Sequence, residues 1–151
     1  MNNAAFLRSV HQRLISEGVN NYVFGGWAEE FHNIREPGLH SDIDLLVKAD
    51  DFEVVDDLIK SASDFYEIIE KRFTHKRAFE FNSIRIELFI VSPKSLTTNF
   101  FSGSYIFRWP CDTFVDKLGV KGLQICSKHA LVAYRQAHKK IVSLRSKLDH
   151  S

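Results

Sequence analysis

The chain has 151 residues, enough to bury a sizeable core without disulfides or a structural metal. Its 44% hydrophobic and 26% charged residues suit an ordinary globular protein, and its thirteen Phe foretell an aromatic-rich core. No apolar run reaches the roughly 18 residues of a transmembrane helix, and the formal net charge of +1 singles out no partner.

In chain order, residues 3–17 predict an amphipathic helix with Phe6, Leu7, Val10, Leu14 and Ile15 on one face, ended by Gly18. Residues 21–24 predict a short buried strand that runs into Gly25-Gly26, with a helix from Trp27 to Ile34. Glu36-Pro37-Gly38 is a turn, and residues 42–48 read as a strand with its acids at the entry end. Asp50 or Asp51 caps a helix to about Ser61, with Phe52, Val55, Leu58 and Ile59 inward. A strand is expected from Tyr66 to Phe73. A hairpin over 77–81 and 84–91 turns at Asn82-Ser83. Residues 94–116 give little signal beyond a short strand near 104–109. After a brief apolar run at 123–126, Ser127 caps a long final helix to about Leu148. The order predicts one α/β (α+β) domain over residues 1–151, a mixed sheet flanked by helices.

Charge is unevenly placed. Ten Asp or Glu lie between Asp42 and Glu70, against only Lys48 and Lys60. From Lys117 to Leu148 there are eight Lys or Arg and no acid. One region suits metal ions and the other phosphates; the bland alternative is two solvated faces of opposite sign. The acidic segment leads us to expect a neutral or cationic partner molecule.

Asp42 and Asp44 are two positions apart on a predicted strand, so both carboxylates point to one face while Ile43 and Leu45 point to the other. Carboxylates held close repel unless a cation sits between them, and magnesium commonly joins one or two carboxylates to substrate phosphates. Glu87 sits in the apolar run from Ile84 to Val91, where a buried carboxylate needs an ion or a donor. Pairing the two strands would gather Asp42, Asp44 and Glu87. Arg85 shares a face with Glu87, so a surface ion pair is the alternative. Gly25-Gly26 at a strand-to-helix junction would let a phosphate approach the backbone, or is merely a tight turn.

Phe24-Gly25-Gly26-Trp27-Ala28, followed by His40-Ser41-Asp42-Ile43-Asp44-Leu45, resembles the antibiotic nucleotidyltransferases of the DNA polymerase β-like superfamily. The pattern is similar to the small lincosamide and the aminoglycoside 2″-nucleotidyltransferases, over residues 22–47 above all. The resemblance implies the nucleotidyltransferase fold with a long C-terminal helix. It implies an enzyme that moves a nucleoside monophosphate from ATP, or a similar triphosphate, to a hydroxyl of a small molecule such as an antibiotic. On that likeness Asp42 and Asp44 hold two magnesium ions, and Glu87, at the position of the third carboxylate, ligates one of them and takes the proton of the attacking hydroxyl. Gly25, Gly26 and Trp27 border the triphosphate, and Arg35, His40 and Ser41 join the nucleotide site. Where relatives carry Arg two residues before the His, this chain has Gly38, and Arg35 is placed to reach the same space across the turn.

Rival readings within the fold are nucleotidylation of a protein or RNA, and a catalytically silent nucleotide-binding module. Trp27 also reads as a core anchor, and Cys111 and Cys126 as inert core thiols. The histidines lack zinc spacing with Cys. A cytoplasmic protein is the expectation, with no secretion signal, no membrane partner and no preferred nucleic acid. A homodimer would supply the acceptor-cleft wall that so small a domain lacks room for.

Overall fold

The computed structural model describes residues 1–149. Its elements run α1 (Ala4–Ser16), β1 (Asn21–Phe24), α2 (Gly25–Phe31), β2 (Asp42–Lys48) and α3 (Glu53–Ser61). They continue with β3 (Tyr66–Glu67), β4 (Lys76–Phe81), β5 (Ile84–Val91), β6 (Thr97–Phe100), β7 (Tyr105–Arg108) and α4 (Lys128–Asp149). The predicted mixed α/β architecture with its long last helix is what the chain adopts.

Five strands form one sheet in the order β1-β2-β5-β4-β3. β2 and β5 are parallel neighbours at its centre; β1 pairs β2, β4 pairs β5 and β3 pairs β4 antiparallel. The β4–β5 hairpin turns at Asn82 and Ser83, both at positive φ, as a tight two-residue turn requires. The central strands are buried on both faces, which explains their nearly continuous apolar runs. Leu7, Val10 and Leu14 of α1 are almost wholly buried, each contributing roughly 1.5–3 kcal/mol by burial. Asn3 caps α1 by accepting from the N–H of Phe6, and Ser127 caps α4 by accepting from that of Ala130.

Three expectations need correction. The strand expected over residues 66–73 stops after Glu67, and a 3-10 turn over Ile69–Lys71 follows. That turn carries Lys71 to the sheet centre, while Arg72 binds Glu67 and Asp56 on the outer side. The quiet segment 94–116 holds a whole second sheet, β6 with β7, packed by Phe100, Phe107 and Trp109. Cys126 is a buried thiol pushed up in pKa by that burial, but Cys111 is exposed and not part of the core.

α4 docks through aromatic rings. Tyr134 stacks parallel to Trp109 at 5.8 Å and meets Phe24 edge-on at 5.0 Å. Such pairs add about 0.5–1.5 kcal/mol each beyond the area they bury, and they hold α4 across the sheet's end. Among the described residues, no helix is long and apolar enough to cross a membrane.

Candidate active site

β2 pairs with β5 in register, which sets Asp42 opposite Arg85 and Asp44 opposite Glu87. The gathering of three acids expected from the sequence therefore occurs. Ile43 and Leu45 are fully buried on the opposite face and lock the strand's facing. Asp44 keeps some solvent contact through the cleft, yet its Oδ1 is buried with no hydrogen-bond partner. Burial, then the neighbouring charge of Glu87, pushes its carboxyl up to about 7.

Glu87 is compensated chiefly by two lysines that the sequence did not single out. Lys71 Nζ and Lys76 Nζ stand 3.1 and 3.2 Å from its Oε1, and Arg85 Nη1 stands 4.0 Å away. The ammonium groups approach as ion pairs rather than along directed hydrogen bonds, and Oε1 has no hydrogen-bond partner. Burial raises the Glu87 pKa, but the two lysines outweigh it and the net direction is down. Glu87 is thus held ionised by lysines without any metal. Arg85 lies slightly closer to Asp42, at 3.9 Å, than to Glu87, so the surface pair is only part of its surroundings.

The glycine pair divides its work. Gly25 has φ +61°, and a Cβ there would stand 2.9 Å from both Cβ and Cγ of Asp44. Only glycine fits between β1 and the Asp44 carboxylate. A Cβ on Gly26 would meet Arg35 Nη1 and stand 3.2 Å from His40 Nδ1. Arg35 does reach across the turn, as expected. α2 is only seven residues long, so its dipole adds little to anion binding there.

His40 is fixed. Its ring stacks on Trp27 with centroids 3.9 Å apart, and Nε2 donates to Glu30 Oε1 at 3.0 Å. Burial raises the Glu30 pKa, but the hydrogen bonds from His40 and the Gly38 N–H hold it down overall. Trp27 is buried and acts as an anchor, its Nε1 donating to Asn2 Oδ1 at 3.1 Å. Asn2 Nδ2 in turn donates to the carbonyls of His40 and Asp42, each at 3.1 Å. Asn2 therefore pins the entry of β2, a role with no local sequence signal because its partners lie 38 and 40 residues away.

Two hollows open on the acid pair. One, of about 420 Å³, is bordered by Gly26, Arg35, His40 and Ser41 together with Asp42 and Asp44. The other, of about 470 Å³, lies between the sheet and α4. Its polar lining includes Lys71, His75, Lys76 and Arg135, and its apolar wall Phe73, Phe89, Phe100, Phe101 and Tyr134. Arg135 is paired with Glu29. Of the acidic segment, only Asp42 and Asp44 reach this cleft. Asp56 and Glu67 pair with arginines on the sheet's outer side and Asp64 pairs with Arg13, so these acids do not face the cleft, whereas Asp44 keeps an unpartnered oxygen in it.

The donor set fits a hard cation that completes its shell with substrate oxygens. Asp44 offers an unpartnered oxygen, and Asp42 stands on the same strand face. Among the described residues, no group of three or more His, Cys, Asp or Glu side chains is arranged as a metal-holding set.

No protein-family model matches the chain, and no curated protein matches its sequence. Solved structures share the fold. The lincosamide antibiotic adenylyltransferase LnuA, lincomycin-bound, superimposes with a TM-score of 0.65 at 16% identity, covering 95% of this chain and 97% of that one. A protein assigned as a nucleotidyltransferase from Thermotoga maritima gives 0.59 at 18% identity, over 97% and 92%. ANT(2″)-Ia, in complex with adenylyl-2″-tobramycin, gives 0.60 at 11% identity, over 89% and 78%. The chain has the nucleotidyltransferase fold.

Proposed function

We propose that this single-domain chain is an enzyme that transfers a nucleoside monophosphate from a nucleoside triphosphate, ATP by analogy with its adenylyltransferase neighbours, to a hydroxyl of a small molecule. The observation that carries the reading is the acid pair at the junction of two hollows: a two-substrate transfer needs both substrates at one centre.

In this reading Asp42 and Asp44 hold magnesium, which when bound offsets negative charge at the phosphates. Ser41, Arg35 and the backbone at Gly26 border the triphosphate, and His40 is kept in place by Trp27 and Glu30. The acceptor enters from the larger hollow. Its hydroxyl oxygen forms a bond to the α-phosphorus, the bond from that phosphorus to the bridging oxygen breaks, and pyrophosphate leaves with the electron pair. Glu87, held ionised by Lys71 and Lys76, is the carboxylate beside the centre that takes the hydroxyl proton. Most of the rate enhancement comes from positioning, which these fixed side chains provide.

The test is pyrophosphate release with magnesium and ATP across a panel of hydroxyl compounds, beside a thermal-shift screen of triphosphates. Magnesium-dependent stabilisation by a triphosphate, with release stimulated by some acceptors, supports the reading. No triphosphate effect in the presence of magnesium contradicts it.

A further inference from the structure

In the larger hollow several cations gather around one carboxylate, Glu87. Glu29 is occupied by Arg135. Asp42 and Asp44 face the proposed metal. Glu87 then stands against Lys71 and Lys76, both at its Oε1, while Arg85 is shared between Asp42 and Glu87. An ammonium carries three donors, so each lysine keeps donors to spare beyond its pairing with Glu87. Both lysines line the hollow, with side chains only 19% and 8% exposed, so an anion reaching them leaves most of its competing water behind.

Aromatic rings make up much of the remaining wall. Phe73, Phe100 and Phe101 face Phe89 and Tyr134 across the space, and Lys76 Nζ lies 5.1 Å over the Phe89 ring. A hollow of about 470 Å³ is the size of a small-molecule site and too confined for a folded macromolecule.

We propose that the acceptor is a small hydroxyl compound with an apolar or aromatic body and one anionic oxyacid group, carboxylate or phosphate, bound by Lys71 and Lys76. This rests on the nucleotidyl-transfer reading for the hydroxyl, but the anion site itself can be tested apart from it. The charge balance of the cleft, rather than that of the neighbouring sequence, sets the acceptor's sign.

Calorimetry on the full chain without nucleotide tests it with three probes of similar shape: para-hydroxybenzoate, para-hydroxyphenyl phosphate and para-hydroxybenzamide. We expect at least one anionic probe to bind ~10-fold tighter than the amide, an advantage that shrinks at high salt. Lys71→Gln should remove most of that advantage, leaving amide binding and magnesium-ATP binding unchanged. Whichever anion binds tighter identifies the oxyacid. Equal binding of all three probes by the wild-type chain overturns the proposal, whatever the variant does. Competition between magnesium-ATP and the anionic probe also overturns it, because the lysines would then belong to the triphosphate, as does preference for an RNA oligonucleotide over both small anions. Anion preference without any magnesium-ATP binding would leave the anion site standing and remove nucleotidyl transfer.

Discussion

The two walls that meet at Asp42 and Asp44 are built from different materials. The wall around Gly25, Trp27, His40 and Asn2 is tied by hydrogen bonds, ring stacking and a glycine contact that no other residue can make. The wall around Lys71, Phe73, His75, Phe101 and Tyr134 is held mainly by apolar and ring contacts and ion pairs, with one hydrogen bond from the Phe101 N–H to His75 Nδ1. Directed bonds tolerate little change in shape, whereas apolar contact and ion pairs tolerate substitutions of similar size and charge. The first wall suits an invariant ligand such as a triphosphate. The second is the one that decides what the triphosphate meets.

The comparison breaks first at Gly25. Gly25→Ala forces a left-handed backbone on a residue with a Cβ and drives that Cβ into Asp44. We expect a stability loss of more than ~3 kcal/mol in thermal or urea unfolding and no measurable triphosphate binding. Gly26→Ala meets mainly the movable end of Arg35 and should keep its fold with weaker binding. Equal tolerance at both glycines would show that the first wall is no tighter than the second.

At the boundary, Glu87→Gln should lower transfer by ~100-fold while triphosphate affinity stays within ~3-fold, as single-turnover rates and calorimetry would show. Glu87→Asp should retain partial transfer. The Gln variant also leaves Lys71 and Lys76 without their carboxylate, so a stability loss of roughly 1–3 kcal/mol is expected. Unchanged turnover would place Glu87 in an ion-pair scaffold and not at the chemistry.

The second wall should respond to acid sooner. His75 is buried among Phe73, Phe100 and Phe101, and its Nδ1 accepts from the Phe101 N–H. Burial, then the nearby positive charge of Lys76, lowers its pKa from 6.5 to about 4. Above pH 6.5 both folded and unfolded chains hold it neutral. As pH falls below that value the unfolded chain takes up the proton and the folded chain does not, so stability drops by about 2 kcal/mol by pH 5. Asp44, raised to about 7, gains stability over the same range, so the His75 loss is read as a difference in unfolding midpoint between wild type and His75→Gln that changes from pH 7 to 5. An acid dependence identical in wild type and variant would clear His75 of the role.

A milder change sharpens the same contrast. Asn2→Ala removes the ties to Trp27, His40 and Asp42 without touching the cleft. The expected cost is about 1–2 kcal/mol in unfolding and ~10-fold in triphosphate affinity, with binding in the second hollow unchanged. A variant with normal triphosphate affinity would show that the entry of β2 holds its place without Asn2.

The two walls were also unequally legible in the sequence. Gly25-Gly26 at the end of an apolar strand and the acid-x-acid entry of β2 are local patterns, and the strand period alone placed both acids on one face. Glu87 was legible as a charge in an apolar run, although its partners were not. Lys71 and Lys76 look like any surface lysines, because only the break of the expected strand after Glu67 and the β4–β5 register bring them to Oε1. Aromatic residues spaced along 73–134 carry no period that marks a shared wall. The charge of the acidic segment is a poor guide to the cleft for the same reason. Composition counts Asp56, Asp64 and Glu67, while the fold turns each to an arginine away from the cleft.

The central claim is that Asp42 and Asp44 act with a magnesium ion to hold a triphosphate at the meeting of the two walls. Calorimetric titration of ATP, with magnesium and with EDTA, into the wild-type chain and into Asp44→Asn tests it most directly. Asparagine keeps the shape of the side chain, so the variant should fold. Wild type should bind ATP at least ~10-fold tighter with magnesium than with EDTA, and the variant should bind equally weakly in both. Equal ATP affinity of the wild-type chain in magnesium and in EDTA would contradict the account.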